Sequence, residues 1–258
     1  MPRKHLPPND AFVISKFLRK VEANRFRTTE DAVAALKVLK EQGVNIEAEL
    51  LRALSRVDSH MQFEITLMLT MLPGVYPIEP LIPLLDQDRR YNRFEVMHLI
   101  ARSRDKRVVD IMLDILDNDG PMMRQAAIWN LYRPYAEKAI PRIKLALHDE
   151  EWDIRRAAVE WLAAVEHLDS VEFLIPMLED EHPQVRETTA ELLGKLGDKR
   201  ALFALSWLER NTPDKGYHGP SLKRAAARAI KRIKDRDLPE VEWVLVEAGK
   251  EGEEEGEG

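Results

Sequence analysis

Apolar residues return along residues 46–234 at two helical phases, and each phase repeats every 31 positions. In the first helix of each unit one apolar position runs Leu50, Leu81, Met112, Ile143, Leu174, Leu205, and a second runs Leu54, Leu85, Leu116, Leu147, Leu178. In the second helix the position three after a recurrent basic residue runs Ile65, Val96, Ala127, Ala158, Thr189. Apolar residues at i, i+3, i+4 and i+7 give each helix one buried stripe. Neither helix can bury that stripe alone, so successive hairpins must stack. The fullest copy is 149–165, an acidic turn, then Trp152, Asp153 and Ile154, then Arg155 and the apolar Ala158, Val159, Leu162 and Val165. Stepping Arg155 by the period gives Arg93, Arg124 and Arg186, with Gln62 one step further upstream. No stretch alternates with period two, so the pattern predicts helices without strands.

Breakers fall between the stripes. Pro73 with Gly74, Pro121, Pro183 and Gly197 each stand where a helix must start or stop. Pro83 and Pro176 share one phase inside the first helix, where the missing N–H should kink or delay it. Upstream, 10–23 reads as a helix, and Thr28 with Asp31 opens a second helix that Gly43 stops. Residues 1–45 are therefore expected to form an N-terminal helical cap of degenerate repeat type, and 46–237 the repeat array. Lys223 takes the Arg phase 37 residues after Arg186, which places a six-residue insertion in 211–220 carrying Lys215, Tyr217 and His218. A C-terminal helix is expected over 238–249, and a disordered acidic tail over 250–258.

Composition narrows the chemistry. With 258 residues, 45% hydrophobic and 33% charged, the chain suits a folded body with a large core. It has no cysteine, hence no disulfide, thiolate nucleophile or cysteine-bound metal. No apolar run approaches the ~20 residues of a membrane span, and 1–8 lacks a signal-peptide core, so a cytoplasmic address without membrane contact is expected. The net charge is −6, but 250–258 carries five Glu against one Lys, leaving −2 on the rest. A body so close to neutral weighs against a duplex-DNA coat.

The 31-residue hairpin, its Val/Ile-Arg-x-x-Ala core and an acid six residues before the Arg resemble HEAT-like repeats, in the short form found in phycobilin lyases and bacterial scaffold proteins. The resemblance covers roughly 46–234. It implies an all-α fold, a right-handed α-solenoid of about six 31-residue helical hairpins with an N-terminal capping hairpin. It also implies a ladder of these acids and arginines linking adjacent units, here Arg93, Arg124, Asp149, Arg155, Asp180 and Arg186. Asp149 with Arg155 and Asp180 with Arg186 match the motif fully. Asn118 with Arg124 and Gln87 with Arg93 keep the spacing without the acid.

No phosphate-binding loop, dinucleotide fingerprint, HExxH, nucleophile elbow or EF-hand loop is present, and neither catalytic residues nor cofactor nor metal is expected. His60 and Glu64 stand i, i+4, but a polar helix start is their ordinary reading. Glu166-His167 and Glu181-His182 reverse the His-Glu order of the HEAT-repeat deoxyhypusine hydroxylases. The second-helix positions one, five and nine after the Arg phase are not called for by the core. In HEAT-like solenoids they line the concave face, which here gives a partner-binding set of Phe94, His98, Arg102, Trp129, Arg133, Arg156, Glu160, Glu191 and Arg228. Exposed aromatics beside arginines are the usual anchors of an interface. The expected function is a non-catalytic scaffold or adaptor for a protein or peptide. Two alternatives are a bilin lyase or chaperone-like subunit, and a nucleic-acid module resembling alkylpurine DNA glycosylases through Trp129, Trp152, Trp161 and Asp153.

Overall fold

A computed structural model describes residues 9–85, 90–103, 105–131, 136–165, 170–212 and 219–236. The expected C-terminal helix and acidic tail lie outside the described residues, as do Arg133, Lys215, Tyr217 and His218. The described residues form helices and turns without a strand, an all-α arrangement of stacked helix pairs as in an α-solenoid. The chain divides into two compact units, 1–139 and 140–258.

The first unit opens with a hairpin of α1 (Asp10–Glu22) and α2 (Thr29–Glu41). Asn9 and Thr28 cap their first turns by accepting the Ala11 and Asp31 amides, and Gly43 ends the hairpin at a φ of 88°. That left-handed conformation costs a glycine nothing. Asp10 accepts the Asn45 amide at 3.2 Å and so ties α1 to the start of α3 (Ile46–Ala53). Next come α4 (Ser59–Met71), α5 (Ile82–Leu85), α6 (Arg90–Ala101), α7 (Val108–Asn118) and α8 (Pro121–Asn130). The recurrent apolar phases are the core: Leu50, Leu81, Met112, Ile65, Val96 and Ala127 are all fully buried. Each large aliphatic side chain so removed from water contributes roughly 1.5–3 kcal/mol.

The unit boundary falls within α9 (Ala136–Ala146). The second unit continues with α10 (Trp152–Val165), α11 (Ser170–Leu174), α12 (Pro183–Leu196), α13 (Leu202–Asn211) and α14 (Gly219–Asp235). Pro83 and Pro176 act as the missing N–H requires. α5 begins only at Ile82, and α11 passes into a 3-10 turn, Ile175–Glu179, at Pro176. Gly194 of α12 admits a close approach of α14, since a Cβ there would stand 2.6 Å from the Ala229 Cα.

Candidate functional site

The recurrent arginines come from the first turn of each second helix, and Arg93 and Arg155 reach forward to an acid further along the chain. Arg155 is buried, and its Nε and Nη2 donate to the Asp180 carboxylate at 2.7 and 3.0 Å while Nη1 donates to the Asp149 and Glu150 carbonyls at 2.8 and 3.1 Å. These bonds to Asp180 raise the Arg155 pKa further above its ordinary value. Arg93 grips Asp119 in the same bidentate way, with Nη1 to Oδ1 at 2.8 Å. Arg124 and Arg186 donate to the carbonyls of Asp119 and Asp180 in the turns before their own helices, at 3.2 and 2.6 Å. The acid that meets each bidentate Arg therefore belongs to the next repeat, 25 or 26 residues on, whereas Asp149 gives Arg155 only its carbonyl. Asp119, one residue past the expected Asn118, is the acid in that turn. Gln62, at the Arg phase, donates to the Leu54 carbonyl at 3.0 Å and keeps its buried Oε1 without a hydrogen bond among the described residues.

The second-helix rows differ between the units. In the first unit α4, α6 and α8 pack in series. At equivalent positions they carry Phe63, Leu67 and Met71, then Phe94 and His98, then Gln125 and Trp129. Met71 is 37%, Phe94 38% and Trp129 53% exposed, His98 is exposed beside them, and Met122 at the start of α8 adds a further exposed apolar side chain. The result is an apolar and aromatic face. Arg102 does not join it. Its guanidinium turns back to donate to the Thr70, Leu72 and Gly74 carbonyls at 3.0, 3.0 and 2.8 Å, and lies 5.7 Å from the Tyr76 ring centroid. α6 ends at Ala101, so Arg102 escapes the helical phase and caps the C-terminus of α4 instead. Arg133 lies outside the described residues.

In the second unit the same rows are charged and engage one another. Arg156 pairs with Glu160 at 2.7 Å and stands 5.9 Å from the Trp152 ring, Arg228 pairs with Glu191 at 3.1 Å, and the Ser221 hydroxyl donates to Glu187 at 3.1 Å. Two of its tryptophans are not free to stack a base. Trp161 is 7% exposed, and Trp152 already stacks on His182 at 4.1 Å between centroids. Of the tryptophans named for a nucleic-acid contact, Trp152 and Trp161 are thus engaged, while Trp129 stays 53% exposed.

A second charged device was missed in the sequence. Asp105 accepts both the backbone N–H and the guanidinium of Arg107, which also pairs with Glu79 of the preceding first-helix region. Asp198, Arg200 and Glu172 repeat this arrangement. The signal was legible, since Asp-Lys-Arg occurs at 105–107 and 198–200, three periods apart. The Arg107 side chain first, and its N–H second, hold the Asp105 carboxyl at about 2. A carboxylate so depressed contributes stability above its ordinary value of about 3.9, and the contribution is lost as pH falls through about 2. Carboxyl NMR should place the Asp105 midpoint near 2 in the native chain and raise it toward, but not fully to, about 3.9 in Arg107→Gln, whose backbone N–H still donates. A native midpoint near 3.9 would refute the clamp.

The first unit also holds a cleft of about 410 Å³ with an apolar floor of Ile14, Leu18, Val57 and Met61 and a rim that includes Arg19 and Asp58. Nothing in the sequence marks it, because its walls come from α1, α3 and the turn before α4. Among the described residues no group of three or more His, Asp or Glu is placed to hold a metal ion, and no helix is long and apolar enough to cross a membrane.

Residues 141–216, from within α9 past the end of α13, match the family model described as HEAT repeats. The match spans well under half of the chain and supports HEAT-like repeats over that stretch. No curated protein matches. Among solved structures, one engineered protein is 16% identical over 74% of this chain and 97% of its own, with a TM-score of 0.49. Another is 15% identical over 79% of this chain and 60% of its own, also at 0.49, so this chain spans less than two thirds of it. Human deoxyhypusine hydroxylase in complex with glycerol is 14% identical over 93% of this chain and 94% of its own, at 0.36. At these TM-scores none of the three carries an argument.

Proposed function

We propose that the protein is a non-catalytic scaffold that binds a protein or peptide partner on the second-helix face of its first unit. The observation that carries this reading is the pair Phe94 and Trp129, exposed at 38% and 53% on successive second helices with His98 beside them. Leaving two large aromatic rings in water forgoes the gain of burying them, and such rings are the side chains around which interfaces are built. Stacked repeats offer extended surfaces of this kind. The second unit, where Arg156 pairs with Glu160 and Arg228 with Glu191, is assigned no aromatic anchor.

The test is affinity capture from native lysate with the native chain and with Phe94→Ala/Trp129→Ala. A hot-spot loss of about 2 kcal/mol per anchor corresponds to roughly 30-fold weaker binding each. Capture should therefore disappear while the helical signal and melting temperature stay nearly unchanged. Undiminished capture by the double variant would remove this face from the account, and a large fall in melting temperature would mean that the rings belong to the core.

A further inference from the structure

α14 turns most of its apolar residues inward. Leu222, Ala225, Ala226, Ala229, Ile230 and Ile233 are buried, while Arg224, Arg228, Lys231, Arg232 and Lys234 are exposed. Arg224, Arg228 and Lys231 follow at i, i+4 and i+7, so they form one stripe along the helix. Arg224 donates its Nε to the Pro220 carbonyl, and Arg228 is shared with Glu191. Lys231, Arg232 and Lys234 have no ion pair among the described residues. Lys195 on α12, at the position equivalent to Arg232, is exposed as well. Like charges held this close on one surface repel one another unless an anion lies across them.

We propose that the exposed face of α14 is a docking surface for an acidic peptide, and that its occupant is residues 251–257 of this same chain. Five of those seven residues are Glu, against five exposed cations on α14. α14 has 17 residues, about 25 Å of helix at 1.5 Å each. Fourteen residues separate Arg236 from Glu251, and even with 238–249 helical at about 1.5 Å each the connection spans roughly 18 Å plus its extended ends, enough to return along the cationic stripe. Gly252 and Gly256 let the backbone follow the stripe without steric cost. Tethering gives the segment an effective concentration of the millimolar order, so weak, exposed ion pairs suffice to hold it. The segment then competes with any other anionic ligand for α14. This surface is separate from the aromatic face of the first unit and does not depend on it.

The chain has no cysteine, so Gly256→Cys gives a single site for a paramagnetic label. At about 0.01 M salt, where charges act over some 30 Å, the label should broaden the amide signals of 224–234 more strongly than those of α10 in the same unit. The broadening should vanish near 1 M salt and in Lys231→Glu/Arg232→Glu. Absent or uniform broadening at low salt, or broadening indifferent to the charge reversal, overturns the assignment. A second measurement uses a fluorescent peptide of sequence 250–258. It should bind the full chain at least tenfold more tightly once Glu251, Glu253, Glu254, Glu255 and Glu257 are changed to Gln. Equal binding overturns the proposal, as does a single-stranded oligonucleotide that binds the native and Gln-tail chains alike.

Discussion

Arg155→Ala should lower stability by roughly 2 to 4 kcal/mol, far more than the loss of an exposed arginine. The cost lies in what stays behind. The Asp180 carboxylate, whose side chain is 5% exposed, would lose a two-pronged charge-assisted partner and keep the His182 amide at 2.8 Å. The Asp149 and Glu150 carbonyls would lose a donor in the turn that launches α10. Arg155→Lys should recover little, because an ammonium cannot span both carboxylate oxygens and two carbonyls at once. Arg156→Ala is the control. Its pair with Glu160 is a partly exposed i, i+4 contact worth about 0.3–0.5 kcal/mol. Thermal and denaturant melts of the three variants decide the matter, and equal shifts for Arg155→Ala and Arg156→Ala would show that the buried pair does not hold adjacent repeats together.

That prediction rests on a pairing which the sequence showed only by half. A repeat phase identifies equivalent positions, but it does not say which copy a side chain meets. The acid six residues before an Arg and the acid 25 residues after it occupy the same phase, and Arg155 reaches the later one. Helix existence was legible because every buried stripe has helical spacing. Trp129 was legible as a solvent-facing residue because its relatives His98, Glu160 and Glu191 are polar. Arg102 was not, because the row assumed that α6 continues through it. Once the helix stops at Ala101 the side chain is free to follow the nearest unsatisfied carbonyls, those at the end of α4. Arg236 serves α12 in the same manner, donating to the Lys195 and Leu196 carbonyls. Capping from a distance of this kind depends on where loops return, which no period records.

Gly194→Leu should be the most damaging single change in the second unit, at roughly 3 kcal/mol or more. Gly194 sits inside α12, where a glycine costs about 1 kcal/mol against alanine, so its presence calls for a reason. The reason is the approach of α14. A Cβ on Gly194 would stand 2.6 Å from the Ala229 Cα and 2.7 Å from its Cβ, and a backbone atom cannot rotate away as a flexible side-chain tip would. One helix must move, and moving it opens the seam in which Leu222, Ala225, Ala226, Ile230 and Ile233 are buried. Gly194→Ala tests the same approach more gently, since its gain in helix propensity offsets part of the clash. Ala229→Gly in that background should restore only part of the loss, because the backbone of α14 still stands in the way of the new methyl group. Amide hydrogen exchange should quicken across α14 in Gly194→Leu and stay slow in α10. If α14 remains as protected as in the native chain, the seam is loose enough to admit a leucine, and the close packing of α12 on α14 is refuted.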